Sequence, residues 1–248
     1  MQAPKFHQSR LNFQFERFLF FSDGFMAICI TLMVLDIRVP QFFLENGIPK
    51  PILTDATLWK ELSKMTFKFL GYLISFGIIG HYWSVHHRIF GYVIKYDTPL
   101  IWWNLGYLFM VALLPFSSGL LGEYSTRDKM HLHLPYLVYV VNICLVAYFN
   151  VAMWLYVAKP SRQFLTHEIS SFRIKLGVYR SLILPAVFVF SYLVSFVSPI
   201  IARFIPLAIP LIIHFGMKGI ENKMVVHENL MEKAVVENED ELTSPSTV

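Results

Sequence analysis

Long apolar runs separated by short polar connections dominate this chain. A membrane-crossing helix needs about 20 mostly apolar residues, and the runs at 18–37, 67–87, 98–122 and 130–158 each meet that requirement. The final run, 181–217, is too long for one crossing and suits two short ones divided by a turn at Ser198-Pro199. The pattern therefore predicts an all-α integral membrane protein with six transmembrane helices. Asp23 lies inside the first run and Lys68 at the start of the second, while the third and fourth hold no Asp, Glu, Lys or Arg. Arg203 interrupts the last run and is expected to snorkel to the interface. A polar segment, 1–16, precedes the spans, and an acidic, proline-containing tail, 221–248, follows them. Ile220, Met224 and Met231 recur at helical spacing and suggest a short amphipathic helix at the start of that tail.

Composition agrees with this pattern. Of 248 residues, 55% are hydrophobic and 15% charged, against about 25% charged in a soluble domain. Lipid can solvate apolar surface that water cannot. The net charge of +4 is spread between apolar runs with no basic stripe, which argues against nucleic acid as a partner. The basic residues instead set topology. With the N terminus inside, 13 of the 21 Lys and Arg fall on the inner side, five of them in the 159–180 connection. An even number of spans then places both termini in the cytoplasm. Cys29 and Cys144 lie within apolar runs, so no disulfide framework is expected. The first run follows a polar segment and is long enough to span by itself, so it reads as a span, not a cleaved leader.

An ionisable group at the centre of a span costs at least about 2.5–3.5 kcal/mol, so such groups face protein or water. Asp23 sits about 9 Å along the first helix from Arg17, in the inner third of the bilayer. His86 near the end of the second span and Asn104 near the start of the third fall at a similar depth. Asp23, His86 and Asn104 are thus expected to share one buried hydrogen-bonded cluster, joined by Ser22 and the indole N–H of Trp83. Two roles suit it: groups that satisfy one another and staple helices together, or a proton relay or gate. Farther along the first span, positions 24, 28, 31 and 35 share one helical face, reading Gly, Ile, Thr, Leu. Ordinary helix packing would use such a face.

The residues also resemble a known family. Arg17, Phe21-Ser22-Asp23, Ala27-Ile28 and Ile30-Thr31-Leu32 resemble the first helix of the transmembrane protein 175 potassium channels. The stretch Trp83 to Phe90 is similar to the family's second helix, and Asn104-Leu105 with Leu114-Pro115-Phe116-Ser117 is similar to its third. The resemblance covers about residues 17–122. It implies a cation channel without the carbonyl selectivity loop of ordinary potassium channels, and no TVGYG-like stretch occurs here. It implies that first helices line a central pore, with Ile28 as the apolar constriction, Thr31 as the hydroxyl ring tied to selectivity, and Leu35 on the same face. It implies a structural network of Arg17, Ser22, Asp23, Trp83, His86 and Asn104. One six-helix repeat then requires a homotetramer, and single-repeat members point to a prokaryotic plasma membrane. Potassium ions, membrane lipid and further copies of the chain are the implied partners, with no cofactor. The animal members conduct protons as well, which makes proton permeability a further expectation.

Two other classes compete with a channel. His81, His86 and His87 resemble one histidine box of membrane di-iron enzymes, but His131 and His133 are expected on the opposite side from His86, His87 and His167, so the set does not converge. A secondary transporter would show inverted repeats and broken helices at the midplane; neither is visible in the sequence.

Overall fold

The computed structural model describes residues 5–126, 128–162, 164, 165, 171–213 and 219. It is helical apart from one hairpin. In chain order the elements are α1 (Lys5–Leu32) with a 3-10 turn (Met33–Asp36), β1 (Phe42–Glu45), β2 (Ile48–Pro51), α2 (Asp55–Lys64), α3 (Thr66–Phe90), α4 (Thr98–Ala112), α5 (Leu114–Glu123), α6 (Leu134–Val157), α7 (Ser171–Ser195) and α8 (Pro199–Phe204), followed by a 3-10 turn at Ile205–Ala208. The chain divides into two compact units, Met1–Leu207 and Ala208–Val248. The bundle lies in the first. The expected amphipathic helix and acidic tail lie outside the described residues.

Among the described residues, four helical stretches are long and apolar enough to cross a membrane: Phe13–Leu35, Thr98–Glu123, Leu134–Val157 and Ser171–Ser195. A fifth is reached if α2 and α3, bent by 50° at their junction, are taken as one span, and a shorter apolar helical stretch runs over Pro199–Ile213. The ends have local causes. Thr54 caps α2 by accepting from the Thr57 amide, Asp97 caps α4 by accepting from Leu100, and Ser198 caps α8 by accepting from Ile201. Each side-chain oxygen satisfies an amide that the first turn leaves free. Pro115 cannot donate to Val111, and the helix breaks at Leu113 between α4 and α5. The turn expected at Ser198-Pro199 is the α7–α8 junction, with Pro199 at the start of α8.

Two boundaries differ from the sequence reading. α7 begins at Ser171, well before residue 181, because Arg173, Lys175 and Arg180 interrupt apolarity without interrupting the helix. The hairpin between α1 and α2 was also unread: Asn46 and Gly47 take φ of 53° and 77°, the positive values a two-residue type I′ turn requires, and Phe42–Glu45 pairs antiparallel with Ile48–Pro51.

α6 is the centre of the bundle, packed on α4, α5 and α7, while α3 packs on α1, α5 and α7. Tyr82, Tyr107, Tyr136, Tyr139 and Phe188 are its largest fully buried side chains. With no water in hydrocarbon, each buried hydroxyl needs a protein partner. Tyr139 meets Ser75, Tyr136 meets Ser191, and Tyr107 donates to the Tyr82 carbonyl at 3.1 Å. Pro185, inside α7, lacks the N–H that would bond the Ser181 carbonyl. The Tyr82 hydroxyl donates to that carbonyl from α3 instead, at 3.4 Å. α6 and α7 approach closely where Trp154 donates its indole N–H to the Ile174 carbonyl at 2.8 Å. A Cβ on Gly177 would overlap that indole, which requires glycine there.

Candidate functional site

α1 has two faces. Ser22, Met26, Cys29 and Met33 are buried, and their spacing of four, three and four residues puts them on one side of a helix. That side packs on α3, α4 and α5. Gly24, Ile28, Thr31 and Leu35 are exposed, Ile28 to 57% and Leu35 to 70%. The Thr31 hydroxyl donates to the Ile28 carbonyl at 2.8 Å, so its oxygen lone pairs remain free to accept. Leu35 lies in the 3-10 turn. There each residue advances about 120° instead of 100°, so Leu35 turns away from the straight line through Ile28 and Thr31.

Behind this helix runs a buried polar chain. Asn104 donates from Nδ2 to the Ser22 hydroxyl at 2.8 Å, and Ser22 donates to the Phe18 carbonyl at 3.2 Å. The other end of the Asn104 amide, Oδ1, lies 2.8 Å from His86 Nε2. With the amide nitrogen turned to Ser22, His86 donates from Nε2 to Oδ1. Ser22, Asn104 and His86 are all at most 1% exposed. The His86 ring lies parallel to Tyr107 at 5.2 Å and tilts against Phe90 at 4.6 Å. This chain joins α1, α3 and α4.

Asp23 is only half-buried, and it accepts a hydrogen bond from the exposed Trp83 indole at 3.0 Å. The expected single cluster is thus two neighbouring units, a buried Ser22–Asn104–His86 chain and an outward-facing Asp23–Trp83 pair. Consecutive residues point about 100° apart on a helix, which sends Ser22 inward and Asp23 sideways. Arg17 joins neither: it is exposed, with its guanidinium 5.9 Å from the Phe13 ring.

The three histidines of the competing metal reading are engaged separately. His81 Nε2 meets the Arg180 carbonyl at 3.0 Å, His86 meets Asn104, and His87 stacks on Trp83 with ring centroids 5.6 Å apart. Among the described residues no three His, Cys, Asp or Glu side chains come together as a metal-ligating group.

Sequence reasoning missed two further polar assemblies. Asp97, beyond capping α4, accepts from the Tyr156 hydroxyl at 2.6 Å and pairs with Arg162 at 3.3 Å, while the Arg162 guanidinium lies 3.8 Å over the Tyr156 ring. An Asp preceding Thr-Pro was a legible cap signal; its tie to α6 was not. The second surrounds Arg203, which is buried at 9% exposure with its guanidinium 4.3 Å from the Tyr136 ring, and does not snorkel. The folding of α8 back against α7 turns it inward.

The comparisons with known proteins agree with this architecture. The family described as "Endosomal/lysosomal potassium channel TMEM175" matches residues 17–115, which take in the exposed face of α1 and all three members of the buried chain. A potassium channel of Streptomyces collinus is 33% identical over 144 residues, 58% of this chain and 65% of that protein. The endosomal/lysosomal proton channel TMEM175 of Danio rerio is 29% identical over 196 residues, 75% of this chain and 36% of that protein. The chain spans less than two thirds of the length of either relative. The crystal structure of a lysosomal potassium-selective channel TMEM175 homolog from Chamaesiphon minutus superposes with a TM-score of 0.63 at 26% identity, covering 83% of this chain and 97% of that one. Over residues 17–115 the chain is similar to the TMEM175 family.

Proposed function

We propose that this chain forms a potassium-selective channel in the plasma membrane, as a homotetramer whose four α1 helices surround the pore. Each copy crosses the membrane six times, through α1, α3, α4 with α5, α6, α7 and the stretch beginning at α8, with both termini cytoplasmic. Residues 17–220 are the channel domain, between a cytoplasmic segment, 1–16, and a cytoplasmic tail, 221–248. The observation that carries this reading is the α1 face that the chain's own fold leaves uncovered, with Ile28 57% exposed and Thr31 beside it. An apolar ring of Ile28 constricts by dewetting, and a ring of Thr31 oxygens contacts a partly dehydrated cation. Potassium sheds water more readily than sodium, so a narrow, weakly polar throat favours it. Leu35, rotated off the line of Ile28 and Thr31 by the 3-10 turn, sits at the mouth beyond Thr31. Ser22, Asn104 and His86 hold α1 at its depth and rotation, with Asp23, Trp83 and Arg17 around them. The channel reading leaves His81, His86 and His87 no catalytic task.

The test is recording from purified protein in a planar bilayer under a potassium/sodium gradient. A reversal potential near that of potassium is expected. Absence of cation current from correctly assembled protein would defeat the proposal. Repeating the recording under a proton gradient measures proton permeability, the activity named for the Danio rerio relative. Mass measurement of the complex checks the four copies.

A further inference from the structure

Away from α1, the first halves of α3 and α6, the end of α5, and α7 and α8 line a partly open cleft of about 40 Å³. Along α3 it lies near Leu70 and Ser75, toward the opposite end of the helix from His86. Its walls are largely apolar, including Leu70, Ile74, Leu121 and Phe188, and one lining residue, Arg203, carries a full charge. Arg203 is nine-tenths buried, and among the described residues its buried Nε and Nη1 have no hydrogen-bond partner. The Tyr136 face contributes a cation–π contact, which leaves these N–H donors uncommitted.

The other polar groups are already engaged or offer only acceptors. Ser75 is shared between Ser118 and Tyr139, Tyr136 meets Ser191, and Ser125 donates to the Leu121 carbonyl. Lys68, beside Gly122 at the rim, is paired with Glu123. Among the described residues no carboxylate lines the cleft. A guanidinium removed from water without an anion is strongly disfavoured, and its planar N–H donors match the oxygens of a phosphate or carboxylate. The enclosing surface, one cation at the head of an apolar slot between helices, fits an anionic group carried on an apolar body.

We propose that this cleft is a binding site for a phosphate-type oxyanion, held by Arg203 between α3, α6 and α8. The chemistry is shared by the headgroup of an anionic phospholipid and by free phosphate. The inference is independent of the channel reading, since none of its residues lies on α1.

The experiment measures thermal unfolding of the full chain in phosphate-free detergent, with added phosphatidylglycerol, phosphatidylcholine or inorganic phosphate. Arg203→Met removes the charge. Gly71→Leu fills the cleft while keeping Arg203; a Cβ at Gly71 meets nothing within 4 Å, so the new side chain has room. A lipid site predicts that phosphatidylglycerol raises the Tm of the parent protein by at least about 3 °C. Phosphatidylcholine and phosphate leave it unchanged, and both substitutions abolish the rise. A site for free phosphate predicts the same rise with inorganic phosphate and the same loss in the two variants. No anion-dependent rise in the parent protein, or an undiminished rise in Gly71→Leu, overturns the proposal. If Arg203→Met does not fold, the Gly71→Leu comparison decides alone.

Discussion

Asn104→Ala is expected to destabilise the bundle far more than Asp23→Ala, although Asp23 carries the charge. Asn104 bridges two buried groups, each at 2.8 Å. Interhelical hydrogen bonds in membrane proteins contribute about 0.6 kcal/mol on average and up to about 1.7, so two lost bonds cost about 1–3 kcal/mol. Ser22 keeps its bond to the Phe18 carbonyl, but His86 Nε2–H has no other hydrogen-bond partner among the described contacts and is orphaned at 1% exposure. An orphaned buried donor adds about 1–3 kcal/mol. Because the lost bonds and the orphan overlap, the expected total is about 2–4 kcal/mol. Asp23→Ala removes one bond to the exposed Trp83 indole, whose N–H can still find water or a headgroup, so less than about 1 kcal/mol is expected. Reversible unfolding in mixed micelles, followed by tryptophan fluorescence, measures both. If Asp23→Ala is as destabilising as Asn104→Ala, the carboxylate belongs energetically to the buried chain and the division into two units is wrong.

Ile28→Asn should wet the constriction and raise current for all monovalent cations, whereas Thr31→Val should leave current and shift the reversal potential toward sodium; bilayer recording under a potassium/sodium gradient separates the two. Gly177→Ala should cost about 1–3 kcal/mol, because its Cβ overlaps the Trp154 indole, and unfolding midpoints in detergent report it. Tyr156→Phe should cost about 1 kcal/mol by removing the 2.6 Å bond to Asp97, and a double substitution with Arg162→Met should be less than additive, since both act on one carboxylate.

How far the sequence could be read follows from what hydropathy measures. It senses how long a stretch stays apolar, so α4 with α5 and α6 were located to within a few residues. It senses proline and cap chemistry, so the break at Ser198-Pro199 was legible. It does not sense helices that continue through charge, which hid the first turns of α7 behind Arg173, Lys175 and Arg180. The Asn46-Gly47 turn had a signal, a type I′ dipeptide between β-prone residues, that the apolar pattern overshadowed. Depth along a span was also readable, and Ser22, His86 and Asn104 were grouped by it. Rotation about the helix axis was not. Whether Asp23 faces Asn104 or Trp83, and whether Arg203 points to the interface or into the bundle, depends on how neighbouring helices pack. The 3-10 turn at Met33–Asp36 changes the residue-to-angle relation itself, which no fixed-period reading of Leu35 can register.

Pro185 leaves α7 one ladder bond short, and the donor that completes it belongs to α3. The consequence is mechanical. The stiffness of α7 at that level is a property of two helices: flexing it also strains the 3.4 Å contact from Tyr82. Tyr107 of α4 in turn donates to the Tyr82 carbonyl, one turn along α4 from Asn104. A load applied to α7 therefore has a continuous route, through two tyrosine hydroxyls, to the amide that fixes the rotation of α1.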